Sequence, residues 1–385
     1  MIPRTLFSEE HEMFRSSVRR FVEREVVPYH AAWEEAGQVP REAWLKAGEA
    51  GLLCCNVPAE WGGVGAGFLF SAIVIEELAR VGASAPSWSL HSDIVAPYLV
   101  DFGSDELRRR WLPAMTRGEA IAAVAMTEPS GGSDLRSIRT RAMRKGDRFV
   151  LNGQKVFITN GISADLVVVA CKTGMEEKAP GISLFLVEAD RPGFRRGRKL
   201  QKIGCKGQDT AELFLEDVDV PDTNLLGIEG RGFDHLVTEL AQERLVQAVR
   251  SIAAAEAVLG WTVDYVTDRQ AFGRRLSDFQ NTQFKIADIK AECVASRVFV
   301  DRCLELHLAG LLDATDAAIA KLTTTELLGR VTDQCLQFFG GWGYMTEFPV
   351  ARAFVDARMA RIAAGTSEIM RQIIARSIIP RDRTR

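Results

Sequence analysis

A mainly helical fold with a central β-domain is predicted for this chain by three observations. Apolar residues recur at spacings of three and four from Ser8 to about Arg117, the same period returns beyond Gly230 and lasts to the C-terminus, and between them lie short β-branched or aromatic segments. The texture changes near 120 and 230 divide the chain into a helical domain over 1–119, a middle β-domain over 120–230 and a helical bundle over 231–385.

In the first stretch Phe14, Val18, Phe21 and Val22 mark one helix face, and Glu9, Glu10 and Glu12 near its start suit the positive end of the helix dipole. Pro28 and Pro40 punctuate the pattern. Glu60-Trp61-Gly62-Gly63 marks a loop, extended by glycines to Gly67 and read as flexible, before an amphipathic run from Phe70 to Arg80. In the middle stretch, Arg148–Leu151, Lys155–Thr159, Leu166–Val169, Ile182–Val187 and Ala211–Leu215 read as strands forming a compact barrel or sandwich. Asn152-Gly153 between the first two reads as a type I′ hairpin turn, and Asn160-Gly161 ends the second. The third stretch reads as helices over Phe233 to about Arg269, Phe279–His307, Asp316–Phe339, Pro349–Arg361 and Thr366–Ile378.

Composition narrows the function. With 385 residues, 47% hydrophobic and 26% charged, and a net charge of −3, the chain has the make-up of a soluble globular protein, not of a disordered, fibrous or disulfide-scaffolded one. No apolar run approaches the ~18 to 20 residues that cross a bilayer, and no cationic leader precedes an apolar segment, so a cytoplasmic protein without an integral membrane segment is expected. Seven cysteines form no CxxC pair and only five histidines are present, which predicts buried free thiols and no metal site. The near-neutral balance argues against a nucleic-acid surface. The basic run Arg191 to Lys206, with Arg195, Arg196, Arg198, Lys199, Lys202 and Lys206, reads as a solvated face or as a contact for an anionic ligand.

GxGxxG after a strand, GxxxxGK[ST], HExxH and GxSxG are all missing, which removes the sequence support for a Rossmann site, a P-loop, a zincin or a nucleophile elbow. Three dense clusters remain. Ala125-Met126-Thr127-Glu128-Pro129-Ser130-Gly131-Gly132-Ser133-Asp134 is either a proline turn or a cradle whose small residues and hydroxyls meet a planar or anionic ligand. Gln337-Phe338-Phe339-Gly340-Gly341-Trp342-Gly343-Tyr344 reads as a helix C-terminus with aromatic anchors. Ala364-Gly365-Thr366-Ser367-Glu368-Ile369 carries a cap for the last helix, whose first-turn N–H groups also suit a phosphate or carbonyl oxygen.

In this order, and joined by Gly153-Gln154-Lys155, Ile158-Thr159-Asn160-Gly161 and Arg269-Gln270-Ala271-Phe272-Gly273, these clusters resemble the acyl-CoA dehydrogenase family over essentially the whole chain. Trp88-Ser89-Leu90-His91-Ser92-Asp93-Ile94, Gly181 to Glu188, Gln208 to Phe214 and Gln242-Glu243-Arg244-Leu245 resemble its long-chain branch. The resemblance implies an α,β-dehydrogenation of an acyl-CoA thioester, in which a carboxylate takes the α-proton and a β-hydride passes to N5 of FAD. Many members carry the base as a Glu just before the Gly-Thr of the third cluster, where this chain has Ala364. The long-chain and isovaleryl branches place it in a Glu-Arg-Leu pattern, which assigns Glu243 as the base; on its own, a helical Glu is more often exposed.

The resemblance also distributes the cofactor. Met126, Thr127 and Ser133 would hold the flavin and phosphate region, Phe157 would pack on the isoalloxazine, and Thr159 would donate near N5. Arg269, Phe272, Gln280, Gln337 and Gly341 match residues on the adenine dinucleotide half, part of it across a dimer interface, and Thr366 and Glu368 match further FAD contacts. Ser133 and Arg244 match positions near the CoA chain, the main-chain N–H of Ala364 would, with a flavin ribityl hydroxyl, polarise the thioester carbonyl, and Gly365 beside it is a further substrate contact. A homotetramer built as a dimer of dimers, an electron-transfer flavoprotein as acceptor, a place in fatty-acid β-oxidation and a bacterial cytoplasmic setting are the further expectations. An oxidase on the same scaffold and a non-catalytic CoA- or flavin-binding protein are the alternatives.

Overall fold

The computed structural model describes residues 2–174 and 181–379. Six helices come first: α1 (Glu9–Glu25), α2 (His30–Ala36), α3 (Arg41–Glu49), α4 (Phe68–Arg80), α5 (Ala96–Phe102) and α6 (Asp105–Thr116). Helix α1 buries Val18, Phe21 and Val22, the apolar residues whose spacing predicts it. The glycine-rich segment before α4 is a cinched loop, not a loose one: the N–H groups of Gly65 and Ala66 donate to the carbonyls of Val57 and Cys55, and a Cβ at Gly63 would lie 1.9 Å from the Val57 oxygen.

Helix α4 is not amphipathic, since residues on every side of it are buried, two of them carboxylates. Glu76 receives guanidinium N–H groups from Arg4 at 2.9 and 3.0 Å, Arg15 at 2.8 Å and Arg297 at 2.8 Å. Burial alone would raise its pKa, but the charges of Arg297, Arg4 and Arg15 override that and bring it down to about 2. The neighbouring Glu77 is paired with Arg19 and Arg80. Three separate parts of the chain are therefore pinned on α4.

The middle of the chain forms one sheet of β1 (Ala122–Ala125), β2 (Arg141–Lys145), β3 (Arg148–Thr159), β4 (Leu166–Thr173), β5 (Gly181–Glu188), β6 (Phe194–Lys199), β7 (Thr210–Pro221) and β8 (Leu225–Leu226). Its order is β6-β7-β3-β2-β4-β5-β8, with β1 parallel to β4. Phe149, Leu151, Val167, Phe185 and Val187 fill a small core of its own. The expected hairpin turn lies elsewhere: Lys145 pairs with Arg148, so Gly146-Asp147 makes the turn and Asn152-Gly153 sits inside β3 at a register shift. Glycine is needed there because a Cβ would lie 2.4 Å from Thr140 Oγ1. The basic run forms edge strand β6 and the segment after it, with Arg195 and Arg198 paired to Glu216 and Glu212 of β7.

Helices α7 (Gly232–Asp268), α8 (Gln280–Leu308), α9 (Ala314–Phe339), α10 (Pro349–Ala360) and α11 (Ser367–Ile378) complete the chain, close to the predicted limits. With 37 residues, α7 spans ~55 Å and packs against α4, α8, α9 and α10. All seven cysteines are buried and unpaired. Among the described residues no helix is long and apolar enough to cross a membrane, and no three metal-binding side chains gather.

Replacing Glu76 by Ala removes the carboxylate that three guanidinium groups share, leaving Arg4 its pair with Asp301 and Arg297 its pair with Glu256, and is expected to cost towards the lower end of about 3–5 kcal/mol. Because Glu76 titrates below its ordinary value, its contribution is present above that value and is lost as pH falls towards about 2. The gap in melting temperature between wild type and Glu76→Ala should be several degrees and constant near neutrality, narrow below the ordinary carboxylate range, and close only as pH approaches about 2.

Candidate active site

Glu243 lies half-buried in the N-terminal half of α7, on the stripe that also carries the buried Leu236, Glu239 and Val246. One of its carboxyl oxygens, Oε2, is buried and has no hydrogen-bond partner. Burial pushes its pKa up to about 7, against the opposing pull of Arg244 and Lys321. Next to it, Gln242 donates Nε2–H to the Asp93 carbonyl at 2.6 Å. That carbonyl belongs to a π-helical turn over Leu90–Val95, immediately before α5, and the contact fixes the orientation of α7 around the carboxyl.

The loop Ala364–Thr366 approaches this region through Lys321, a fully buried lysine on α9. Its Nζ donates to the Gly365 carbonyl at 2.7 Å. Burial lowers the Lys321 pKa to about 8, with Arg244 adding to that and Glu326, Glu368 and Glu243 opposing it. Ala364 is held at φ +55° and Gly365 at +88°, so the chain turns sharply there. Neither residue's N–H donates to a main-chain carbonyl among the described residues. Thr366 caps α11 by accepting from Ile369 N–H at 3.3 Å, Ser367 donates to Glu326 at 2.7 Å, and Glu368 is exposed in the first turn.

On the sheet, Met126 and Thr127 are held by a buried ion pair. Lys155 Nζ reaches Glu128 Oε1 at 2.8 Å and the Met126 carbonyl at 3.1 Å. Glu128 also accepts from the Arg139 and Thr140 N–H groups and from the Thr140 hydroxyl. Two residues further along β3 a bulge interrupts pairing with β7, and Val156 N–H turns aside to the Thr127 carbonyl at 3.0 Å. The bulge places Phe157 at φ +61° and leaves it 67% exposed. Thr159 closes the strand, and Asn160 anchors it to Ala122 and to Ser87 of the helical domain. The side-chain hydroxyls of Thr127, Ser133 and Thr159 are half-buried or exposed, so an aromatic face and three hydroxyls are available to a planar cofactor carrying phosphate.

A third group lies at the other end of α7. Arg269, Gln337 and Gly341 line one cleft with Tyr265 and Trp342. Phe272, 96% exposed, projects from a short hairpin just beyond, and the exposed Gln280 begins α8. Arg269 is about 39 Å along the helix axis from Glu243 at about 1.5 Å per residue. Within one chain the anticipated residues thus form a reactive-end group and a remote group.

Residues 8–119, 123–218 and 230–379 match, in turn, the acyl-CoA dehydrogenase N-terminal, middle and C-terminal domains. The chain belongs to the acyl-CoA dehydrogenase family. It is 50% identical to the rat long-chain specific acyl-CoA dehydrogenase over 378 residues, 98% of this chain and 88% of that protein. The crystal structure of an acyl-CoA dehydrogenase from Geobacillus kaustophilus superposes with a TM-score of 0.96 at 48% identity, covering 98% of this chain and all 100% of that one. A Bacillus anthracis acyl-CoA dehydrogenase complexed with FAD superposes with a TM-score of 0.90 at 30% identity, over 97% of this chain and 67% of that chain.

As a member of the acyl-CoA dehydrogenase family, the chain is a flavin-dependent oxidoreductase, and FAD is its cofactor. The residues present suit that group: the projecting Phe157, the Thr127, Ser133 and Thr159 hydroxyls and the capped start of α11 offer an aromatic face and polar contacts. Sequence reasoning did not single out Lys321, although a lysine amid the apolar positions of α9 was the available signal. The pairing of Glu128 with Lys155 was likewise missed, because the two are distant in sequence and meet only across the turn.

Lys155→Met strands the buried Glu128 carboxylate and is expected to cost about 3–5 kcal/mol. Thr127 and Phe157 should lose their support with it. The FAD-to-protein absorbance ratio after gel filtration should fall by at least half, with melting several degrees lower than wild type.

Proposed function

We propose that the chain removes hydrogen across the α,β-carbons of an acyl-CoA thioester, giving the trans-2-enoyl-CoA, with Glu243 as the α-proton base. The observation that carries this reading is the buried, unpartnered Glu243 oxygen beside a loop that has alanine, not a carboxylate, at 364. Bound FAD supplies the acceptor for the β-hydride. An α-proton of a thioester is far less acidic than a carboxylic acid, so two things are needed from the chain. Glu243 must be kept from water so that it stays basic, and the thioester oxygen must meet prearranged donors as negative charge develops on it.

The N–H of Ala364 serves as one such donor, a task for which its side chain is irrelevant, and Gly365 shapes the turn. Lys321 holds the Gly365 carbonyl, orienting that turn, and its positive charge moderates the basicity of Glu243. Arg244 and Ser133 contact the CoA chain. The acyl group is a straight medium or long chain, in keeping with the likeness to the long-chain enzyme from rat. Electrons leave to an electron-transfer flavoprotein.

Met126, Thr127, Ser133, Phe157 and Thr159 hold the flavin end of FAD, and Thr366 and Glu368 make further contacts with it. Arg269, Phe272, Gln280, Gln337 and Gly341 hold the adenine dinucleotide half, part of it across the interface with a second subunit. The separation of about 39 Å along α7 supports this division, because one dinucleotide does not bridge it. The protein is therefore proposed to work as a homotetramer made of two such cofactor-sharing dimers.

Glu243→Gln should keep its yellow flavin and bind dodecanoyl-CoA while anaerobic flavin reduction falls by about 10²–10⁴; normal reduction would remove Glu243 from the base's role. In wild type the reduction rate should rise as pH increases through about 7, because the ionised carboxyl is the active form. Stopped-flow absorbance on Lys321→Met should place this transition at higher pH, since the lysine charge holds the Glu243 pKa down. Peroxide formed under air at the turnover rate would instead favour an oxidase.

A further inference from the structure

Lys321 is not the only side chain of α9 that grips the loop between α10 and α11. Glu326, on the same helix, meets both ends of that loop. Its Oε1 accepts from the Ser367 hydroxyl at 2.7 Å, and its Oε2 lies 3.0 Å from Arg361 Nη2. The same guanidinium nitrogen donates to the Glu326 carbonyl at 3.4 Å, so Arg361 is held by both the side chain and the backbone of α9. Gly329 makes room for it, since a Cβ there would lie 2.6 Å from Arg361 Nη2 and 2.7 Å from its Cζ. The two loop ends are also joined directly, by Ser367 N–H donating to the Arg361 carbonyl at 3.1 Å. We propose that Glu326 is a positioning residue for the reaction: by holding Arg361 and Ser367 on one carboxylate, it aims the Ala364 N–H at the thioester oxygen. This rests on the reading in which the N–H of Ala364 polarises that oxygen.

A loop with this backbone does not keep its shape unaided. Ala364 sits at φ +55° and Gly365 at +88°, and a residue with a Cβ populates that region sparsely, so the surrounding contacts must impose it. The N–H groups of Ile362 and Ala363 both donate to the Met359 carbonyl, at 2.8 and 3.1 Å, which fixes the chain as it leaves α10. The Ala364 N–H comes next and has no main-chain acceptor among the described residues. Beyond it Lys321 takes the Gly365 carbonyl and Glu326 takes the Ser367 hydroxyl. The free donor thus lies inside a span fastened to α9 at Arg361, Gly365 and Ser367.

This arrangement matters because a donor serves a developing oxyanion best when it has no reorganisation left to do. A loop released at its ends would have to find its orientation in each turnover. Glu326 itself need not touch the substrate, and neither a proton nor an electron passes through it.

The test separates stabilisation of the oxygen from hydride transfer. 3-Thiadodecanoyl-CoA carries sulfur in place of the β-carbon, so it keeps an acidic α-proton and has no β-hydride to give. Bound in the FAD-loaded enzyme it can be ionised and go no further, and its enolate beside oxidised flavin gives a long-wavelength charge-transfer absorbance. In Glu326→Ala the ratio of enolate to neutral ligand should fall by about tenfold or more, and the limiting rate of anaerobic flavin reduction by dodecanoyl-CoA should fall with it. The dissociation constant of dodecanoyl-CoA should change by no more than about threefold, since the interaction lost is one that strengthens as charge develops. Glu326→Gln, which still offers an acceptor to Ser367 and Arg361, should lose less of both. An enolate ratio equal to wild type in Glu326→Ala overturns the proposal and leaves the dehydrogenase reading intact. Equal loss in Glu326→Gln and Glu326→Ala also overturns it, because charge and not position would then be the cause, as does binding that weakens in step with the slower reduction. If Glu326→Ala fails to retain FAD, the enolate ratio in Ser367→Ala decides. A wild-type enzyme that neither ionises the analogue nor reduces its flavin with any straight-chain acyl-CoA instead overturns the dehydrogenase reading itself.

Discussion

Glu76 is a buried carboxyl and Glu243 a half-buried one with one enclosed oxygen, and desolvation presses on each in the same direction. At Glu76 three guanidinium groups answer it, and the carboxyl stays ionised to about pH 2. At Glu243 the answering charges are weaker and no hydrogen bond reaches one oxygen, so the pKa settles near 7. The same burial penalty that Glu76 overcomes as a fastener leaves Glu243 able to take up a proton near neutrality, which is what the role proposed for it requires. The rest of the molecule depends on keeping these two treatments apart, which the bundle does by seating Glu76 on α4 among arginines from three elements and Glu243 on α7 beside a loop.

Much of the fold could be read from residue spacing. The limits of α7 to α11 follow from periodicity and from Gly and Pro at their ends, because long helices with apolar stripes leave a strong local signal. Helix α4 misled because its period is real but its polar positions, Glu76 and Glu77, face arginines and not water. Asn152-Gly153 misled because a dipeptide that suits a turn also suits a bulge when Thr140 lies close against it. The short strands β1, β2 and β6 went unread, since Ala-rich or Arg-rich segments lack β-branched residues and are held by neighbours distant in sequence.

The candidate site was legible only in part, and for a physical reason. A motif displays residue types that suit a ligand, and Thr127 and Thr366 fall inside the clusters singled out on that ground. The residues that hold them in place act through distant contacts: Lys321 reaches Gly365 from another helix, and Lys155 reaches Glu128 across a turn. Ala364 was informative because of what it lacks, which turned attention to a glutamate more than a hundred residues earlier.

The burial of every cysteine has a practical side. Each thiol is enclosed and its pKa is pushed upward by that enclosure, as at Cys171 and Cys335, so the thiolate that alkylating reagents attack is scarce in the folded protein. A cysteine introduced on the exposed hairpin that bears Phe272 would stand out against a silent background. Spin labels or fluorophores placed there could test the proposed assembly of subunits without first stripping the native thiols from the chain.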